Sequence, residues 1–272
     1  MSFYFMDLSV IILNYNSKDY LLPCIKGIIE HTKNLDYEII VVDNASTDNS
    51  LEYIEHKLVP RFSELKLIKA SVNRGYAAGN NLGIKNSQGR YVLVMNPDIV
   101  IWENSFKQMV DFMDSHKQVG MAGPRLLSPD GSLQYFVYHW PTPQVLLYRR
   151  TPLSRFKFAQ KAIDKYLMKD WDHRDARPVD WVQGSCVIVC REAIDKVGLM
   201  DERYFLYSED TDWCRRFWQA GLEVWYMADV ELIHYHERAS AKNNILQSIF
   251  NKMSWVHIFS SVKYFRKWGF TR

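Results

Sequence analysis

Between Leu8 and Met113 the chain alternates short, unbroken apolar runs with longer segments whose apolar positions recur at helical spacing. Leu8–Leu13, Glu38–Val42, Leu65–Lys69 and Tyr91–Met95 have the length and continuity of strands buried on both faces. The segments between and after them carry one apolar stripe each: Leu21, Cys24, Ile25, Ile28 and Ile29; then Leu51, Ile54 and Leu58; then Phe106, Met109, Val110 and Met113. Ser17 is placed to cap the first helix. This alternation predicts an α/β fold with a single, mostly parallel, Rossmann-like central sheet flanked by helices. From 139 to 178 the pattern loosens into a basic, aromatic insert with Arg149, Arg150, Arg155, Lys157, Lys161 and Lys165. Periodicity returns at Val179–Cys190, and Trp213, Phe217 and Ala220 extend a helix from Glu209 to a closing Gly221. Glu223–Met227 and Val230–Ile233 read as further strand. The expected organisation is one domain over residues 1–240, with 139–178 as a variable insert, and a helical tail over 241–272. On that tail Trp255, Ile258, Val262 and Phe265 share a face, and Lys263, Arg266 and Lys267 lie near a second.

Composition narrows the class of protein. A hydrophobic content of 47% over 272 residues supports a large core, and a formal charge of +3 gives no reason to expect a nucleic-acid partner. Cys24, Cys186, Cys190 and Cys214 form no C-x-x-C pair and lie within apparent core elements, so they read as reduced, buried thiols. Asp7 and Asn14 interrupt the first apolar stretch, no basic leader precedes it, and no run approaches the roughly 20 apolar residues of a bilayer span. The expectation is a cytoplasmic protein.

Candidate chemistry gathers where strands end. Tyr91–Met95 runs into Asn96-Pro97-Asp98, and in an open α/β sheet the ligand crevice lies beyond the carboxyl ends of the strands. Pro97 stiffens the turn that carries Asp98, which suits a ligand for a hard cation. Glu38–Val42 likewise ends in Asp43. A third group, Glu209-Asp210-Thr211-Asp212, opens the helix before Trp213, where acids also complement the helix dipole. Arg216, four residues after Asp212, would make a surface pair with it.

Taken in order, Val10-Ile-Ile-Leu-Asn14-Tyr15-Asn16, Val41-Val-Asp43-Asn44-Ala-Ser46-Thr-Asp48, Asn73-Arg-Gly75 through Asn81-Leu-Gly83, Asn96-Pro-Asp98, Gly184-Ser-Cys186 and Phe205 through Asp212 resemble the inverting nucleotide-sugar glycosyltransferases of family two, with the GT-A fold, and within it the bacterial rhamnosyltransferase-like branch. The resemblance covers Leu8 to about Ser240. It departs from the family in one place: the metal motif Asp-x-Asp has Asn96 for its first acid.

The resemblance implies roles. Asn14, Asn16, Asp43, Asn73, Gly75 and Asn96 would bind the nucleotide, with Asp43 accepting from the imide N–H of uracil or thymine. Asp98, joined by His234, would hold Mg2+ or Mn2+ against the diphosphate; the neighbouring His236 competes for that role, and Ser240 would end a mobile segment. Asp210 would be the general base, Glu209 its support, and Gly184, Ser185, Trp181 and Trp213 would line the acceptor site. The implied reaction transfers L-rhamnose from dTDP-β-L-rhamnose, with inversion, to a glycolipid or polysaccharide. The alternatives are a UDP-hexose donor or a non-catalytic, sugar-nucleotide-binding assembly subunit. The tail's apolar face is expected to pack on the catalytic domain or on a second copy of the chain, and the alternative is contact with the cytoplasmic face of the inner membrane, which its basic, amphipathic pattern also suits. A dinucleotide-dependent oxidoreductase would need G-x-G-x-x-G where the chain has Asn14-Tyr15-Asn16-Ser17-Lys18, and a nucleotidyltransferase would need a Gly-rich basic loop there.

Overall fold

The computed structural model describes residues 6–235 and 252–270, so His236 and Ser240 lie outside the described residues. Four apolar runs become parallel strands, β1 (Leu8–Asn14), β2 (Tyr37–Asp43), β3 (Leu65–Lys69) and β4 (Tyr91–Met95), in spatial order β3-β2-β1-β4. The crossovers are α1 (Lys18–His31), α2 (Ser50–Tyr53), which continues as a π-helical turn over Ile54–Leu58, and α3 (Tyr76–Lys85). All five residues of β4 are buried, which is why its sequence shows no polar alternation. Ser17 does not cap α1 with its side chain; the hydroxyl donates to the Tyr15 carbonyl instead.

Beyond β4 come β5 (Ile99–Val100), α4 (Ser105–Ser115), β6 (Val119–Leu127), β7 (Val137–Tyr138), α5 (Pro143–Tyr148), a 3-10 turn at Pro152–Arg155 and α6 (Lys157–Tyr166). They are followed by β8 (Arg177–Pro178), β9 (Trp181–Val182), β10 (Cys186–Cys190), α7 (Arg191–Val197), α8 (Glu209–Gln219), β11 (Glu223–His234) and α9 (Lys252–Trp268). The sheet continues β4-β10-β6-β11-β5, with β10 antiparallel to both neighbours; β8 pairs with β11, and β7 pairs with β9 as a separate ribbon.

Strand β6 has no clear signal in the sequence because Gly120, Gly123 and Pro124 interrupt it. The interruption has a packing reason: a Cβ on Gly123 would stand 2.4 Å from the Phe136 ring. The β6–β11 register shifts between Met227 and Glu231, so one long strand reads in sequence as two pieces. The 139–178 insert is largely helical. Only Ala159, Ile163 and Tyr166 of α6 are buried, and exposed Phe156 and Phe158 blur that stripe.

Helix α9 packs on the domain. Tyr264 and Phe265 join Tyr204 in a small core, and Lys267 and the Trp268 indole reach Asp212 at 2.6 and 2.7 Å. Of the predicted apolar face only Phe265 packs inward, while Trp255, Ile258 and Val262 stay exposed, and Lys263 is occupied as a donor to the Arg203 carbonyl. Among the described residues no helix is long and apolar enough to cross a membrane.

Candidate active site

The cleft is built from loops at the carboxyl ends of β1, β2 and β4, closed by the loop before β10 and the head of α8. At the end formed by β1 and β2, Asn14 and Asp43 occupy the last, paired positions of the two strands. Asn14 Nδ2 donates to Asp43 Oδ1 at 2.9 Å and to Ser46 Oγ at 3.0 Å, and the Ser46 N–H donates to Asp43 Oδ2 at 3.1 Å. Both Asp43 oxygens are thus engaged and the carboxylate is buried, so Asp43 forms the floor of the loop. Asn16, in the left-handed region at φ 54°, accepts from the Thr47 and Asp48 N–H groups and ties the two loops together. Asn44 donates to Asn73 Oδ1, which also accepts from the Gly75 N–H. Gly75 has φ 100°, and a Cβ there would stand 2.1 Å from the Phe205 carbonyl oxygen. Only glycine lets the 73–75 loop lie against the segment that leads to α8.

At the β4 end, the Asn96 N–H donates to the Ser185 carbonyl at 2.8 Å, which sets the Asn96–Asp98 turn beside the loop before β10. Strand β5 begins just after Asp98 and pairs Ile99 with His234, the last residue of β11. This pairing brings His234 Nε2 to 3.4 Å from Asp98 Oδ1. Gln134 Nε2 donates to the His234 carbonyl, so its Oε1 is left to accept from His234 Nδ1 at 2.9 Å. Nε2 is then the ring nitrogen that faces the carboxylate. A carboxylate oxygen and an imidazole nitrogen at this separation can share a divalent cation. Asp98 Oδ1 is buried with no hydrogen-bond partner among the described residues, which fits that arrangement. Among the described residues no group of three or more His, Cys, Asp or Glu forms a complete metal cage. A metal here would take Asp98 and His234 from the protein and the rest of its ligands from outside it, as Mg2+ commonly does.

The third part is the head of α8. Tyr207 and Ser208, both at φ 70°, turn the chain sharply into the helix, an uncommon pair of left-handed non-glycine residues. They place Glu209 inside and Asp210 at the cleft wall. Asp210 accepts from the N–H groups of Gly184 at 3.1 Å and Thr211 at 2.7 Å. Burial raises the Asp210 carboxyl above its ordinary value of 3.8, and these N–H groups work against that rise. Glu209 is raised well above its ordinary value by burial and by the charge of Asp210, and its Oε2 has no hydrogen-bond partner among the described residues. The first proton therefore leaves Asp210 and Glu209 keeps its own.

Tyr76 joins the two ends of the cleft. Its hydroxyl donates to the Gly184 carbonyl at 2.6 Å and stands 3.5 Å from Asn96 Oδ1, while the Gly184 N–H is on Asp210. Burial, with the charges of Glu209 and Asp210, pushes the Tyr76 phenol well up, so it remains a donor. Tyr76 has no role assigned from the sequence, although it stands inside the Asn73–Gly83 motif; Gln134 and Ser46 carry no comparable signal for their contacts.

Of the residues expected to line an acceptor site, Gly184 and Ser185 border Asp210 and Asn96. Trp181 and Trp213 do not offer open surface. Trp181 stacks on Tyr138 at 4.5 Å with its N–H on the His139 carbonyl, and Trp213 is buried with its N–H on the Gly198 carbonyl. Trp213 follows Glu209 by one helical turn on the inward face. Asp212 corrects a second expectation: it is fully buried, and its pair with Arg216 at 3.0 Å is interior.

The profile described as glycosyl transferase family 2 matches residues 9–176. A low-salt glycan biosynthesis hexosyltransferase of Haloferax volcanii is 27% identical over 84% of this chain and 67% of its own length. An N-acetylglucosaminyl-diphospho-decaprenol L-rhamnosyltransferase of Mycobacterium tuberculosis is 28% identical over 75% and 68%, and the rhamnosyltransferase WbbL of Escherichia coli is 24% identical over 94% and 91%. Among solved structures, GalNAc-T7 with UDP, GalNAc and Mn2+ superposes with a TM-score of 0.66 at 15% identity, over 88% of this chain and 45% of that one. That likeness establishes the GT-A glycosyltransferase fold. With the profile spanning more than half of its length, the chain belongs to glycosyl transferase family 2.

Proposed function

We propose that the chain is an inverting, metal-dependent glycosyltransferase that moves L-rhamnose from dTDP-β-L-rhamnose to a hydroxyl of a glycolipid or growing polysaccharide. The observation that carries this reading is the continuous connection Asn96–Tyr76–Gly184–Asp210, which sets a carboxylate with a raised pKa beside the turn that carries Asp98. The names of the bacterial relatives support rhamnose as the sugar and a diphospho-lipid as one class of acceptor.

In this reading the floor formed by Asn14 and Asp43 supports the pyrimidine, and Asn16, Asn73 and Gly75 shape the walls around it. Asp98 and His234 would hold Mg2+ or Mn2+, which supplies charge neutralisation at the leaving diphosphate. Asp210, ionised first, takes the proton of the acceptor hydroxyl as that oxygen attacks the anomeric carbon. The bond to the diphosphate breaks on the opposite face, and the configuration inverts. Glu209, still protonated, leaves Asp210 as the only charged member of the pair. Tyr76 holds Gly184, and through it the position of Asp210.

Calorimetric titration of the protein with dTDP, UDP and GDP, each with Mg2+, tests the donor. The expected order has dTDP tightest, with binding lowered about tenfold or more when the metal is removed or in Asp98→Ala. A preference for UDP moves the donor to a UDP-hexose, and a preference for GDP overturns the base assignment.

A further inference from the structure

We propose that the helical insert and α9 together form a docking surface for an anionic phospholipid membrane, placed beside the entrance to the acid pair. The proposal deepens the preceding reading by naming the surface from which an acceptor is presented, and it rests on that reading only for its purpose.

The two segments are neighbours. Leu146 of α5 packs on the cluster of Tyr204, Tyr264 and Phe265, and the Tyr207 ring lies 4.4 Å from the His257 ring of α9. Burial, with the charges of Arg150 and Arg149, pushes His257 down to about 3, which agrees with this proximity. Ser260 donates to the Leu206 carbonyl at 2.8 Å, so α9 is fastened to the loop that ends at Glu209.

What the segments turn outward is apolar. Phe156 and Phe158 are 56% and 58% exposed, and on α9 Ile258, Phe259 and Val262 are 42%, 59% and 45% exposed. Ile258 and Val262 are one helical turn apart with Phe259 beside them, so they form a stripe. Large exposed side chains gathered in this way mark an interaction surface. Charge selects the partner. Residues 143–163 hold Arg149, Arg150, Arg155, Lys157 and Lys161 and no Asp or Glu. All five are exposed. Lys263 and Lys267 of α9 are spent on internal partners, so the exposed positive charge comes mainly from the insert, with Arg266 of α9 added to it. Arg149 lies over the Tyr166 ring, which leaves Arg155, Lys157 and Lys161 as the cations beside Phe156 and Phe158 in the chain. Aromatic and aliphatic side chains accompanied by exposed cations suit the headgroup boundary of an anionic bilayer, where apolar burial and electrostatic attraction add.

Vesicle sedimentation with the full chain tests this. Vesicles of phosphatidylcholine alone are compared with vesicles containing phosphatidylglycerol as well, at low and high salt, for wild type, Ile258→Ser/Phe259→Ser and Arg155→Glu/Lys161→Glu. The expected result is at least roughly tenfold more wild-type protein on the anionic vesicles, reversed by salt, and loss of that binding in both variants. Unchanged thermal melting of the variants, whose substituted side chains are exposed, shows that folding is retained. Equal or negligible pelleting of wild type on both vesicles overturns the proposal, as does anionic binding that both variants retain. A wild-type dimer in solution that Ile258→Ser/Phe259→Ser dissociates, without vesicle binding, assigns the stripe to self-association and also overturns it. None of these outcomes alters the nucleotide titration.

Discussion

At the scale of single residues, the site turns on which of two adjacent carboxyls ionises. Asp210 has two backbone N–H donors; Glu209 has burial and a like charge beside it. Burial and the charge of Asp210 favour the protonated form of Glu209, and Gln is close to an isostere of that form. Glu209→Gln is expected to retain turnover within about tenfold, with little movement of the acid limb of the pH profile, since that limb belongs to Asp210. The same substitution has a stability consequence whose sign follows from linkage. A folded pKa raised above the ordinary 4.5 means that the folded state binds more protons, so stability is fully present below that value and is lost as pH rises toward the folded one. Glu209→Gln removes the loss. By calorimetry it should melt above wild type near neutral pH, and the two should converge in acid; a variant that melts lower at neutral pH would contradict the assignment of burial as the cause.

Among the elements, α8 and α9 behave as one unit. Asp212 has no solvent exposure and receives Arg216, Lys267 and the Trp268 N–H, so it fixes α9 against the helix that carries the acid pair. Breaking a buried charge cluster from one side costs about 3–5 kcal/mol, less here because Arg216 and Lys267 keep some contact with water. Asp212→Ala is expected to destabilise the protein by about 2–3 kcal/mol and to expose residues 252–270 to proteolysis before the remainder of the chain. Proteolysis that starts elsewhere would show that α9 is held by its apolar contacts alone. In sequence, Asp212 and Arg216 read as a surface pair, because helical spacing gives the neighbour and not the depth. The strands that carry Asn14, Asp43 and Asp98 were legible, since unbroken apolar runs leave little choice of element. Strand β6 was not: its glycines make room for side chains such as Phe136 that approach from distant segments, and no local pattern records that need.

For the whole molecule, the order of acid-tipped strands announced the cleft, while its assembly depended on long-range pairings absent from any local window. The β5–β11 pairing joins Asp98 to His234, and Tyr76 spans from Asn96 to Gly184. Trp181 and Trp213 show the reverse error, in which residues close to the site in sequence fold into its supporting core. If Asp210 is the base of a transfer whose donor is held elsewhere in the cleft, binding and turnover must separate in one substitution. The direct measurement is nucleotide affinity by calorimetry alongside the rate of nucleoside diphosphate release with donor and acceptor, for wild type and Asp210→Asn. The expected result is an unchanged nucleotide affinity with turnover lowered about a hundredfold or more, the usual effect of losing a positioned base. Turnover within about tenfold of wild type, or a loss that follows weakened nucleotide binding, would contradict it.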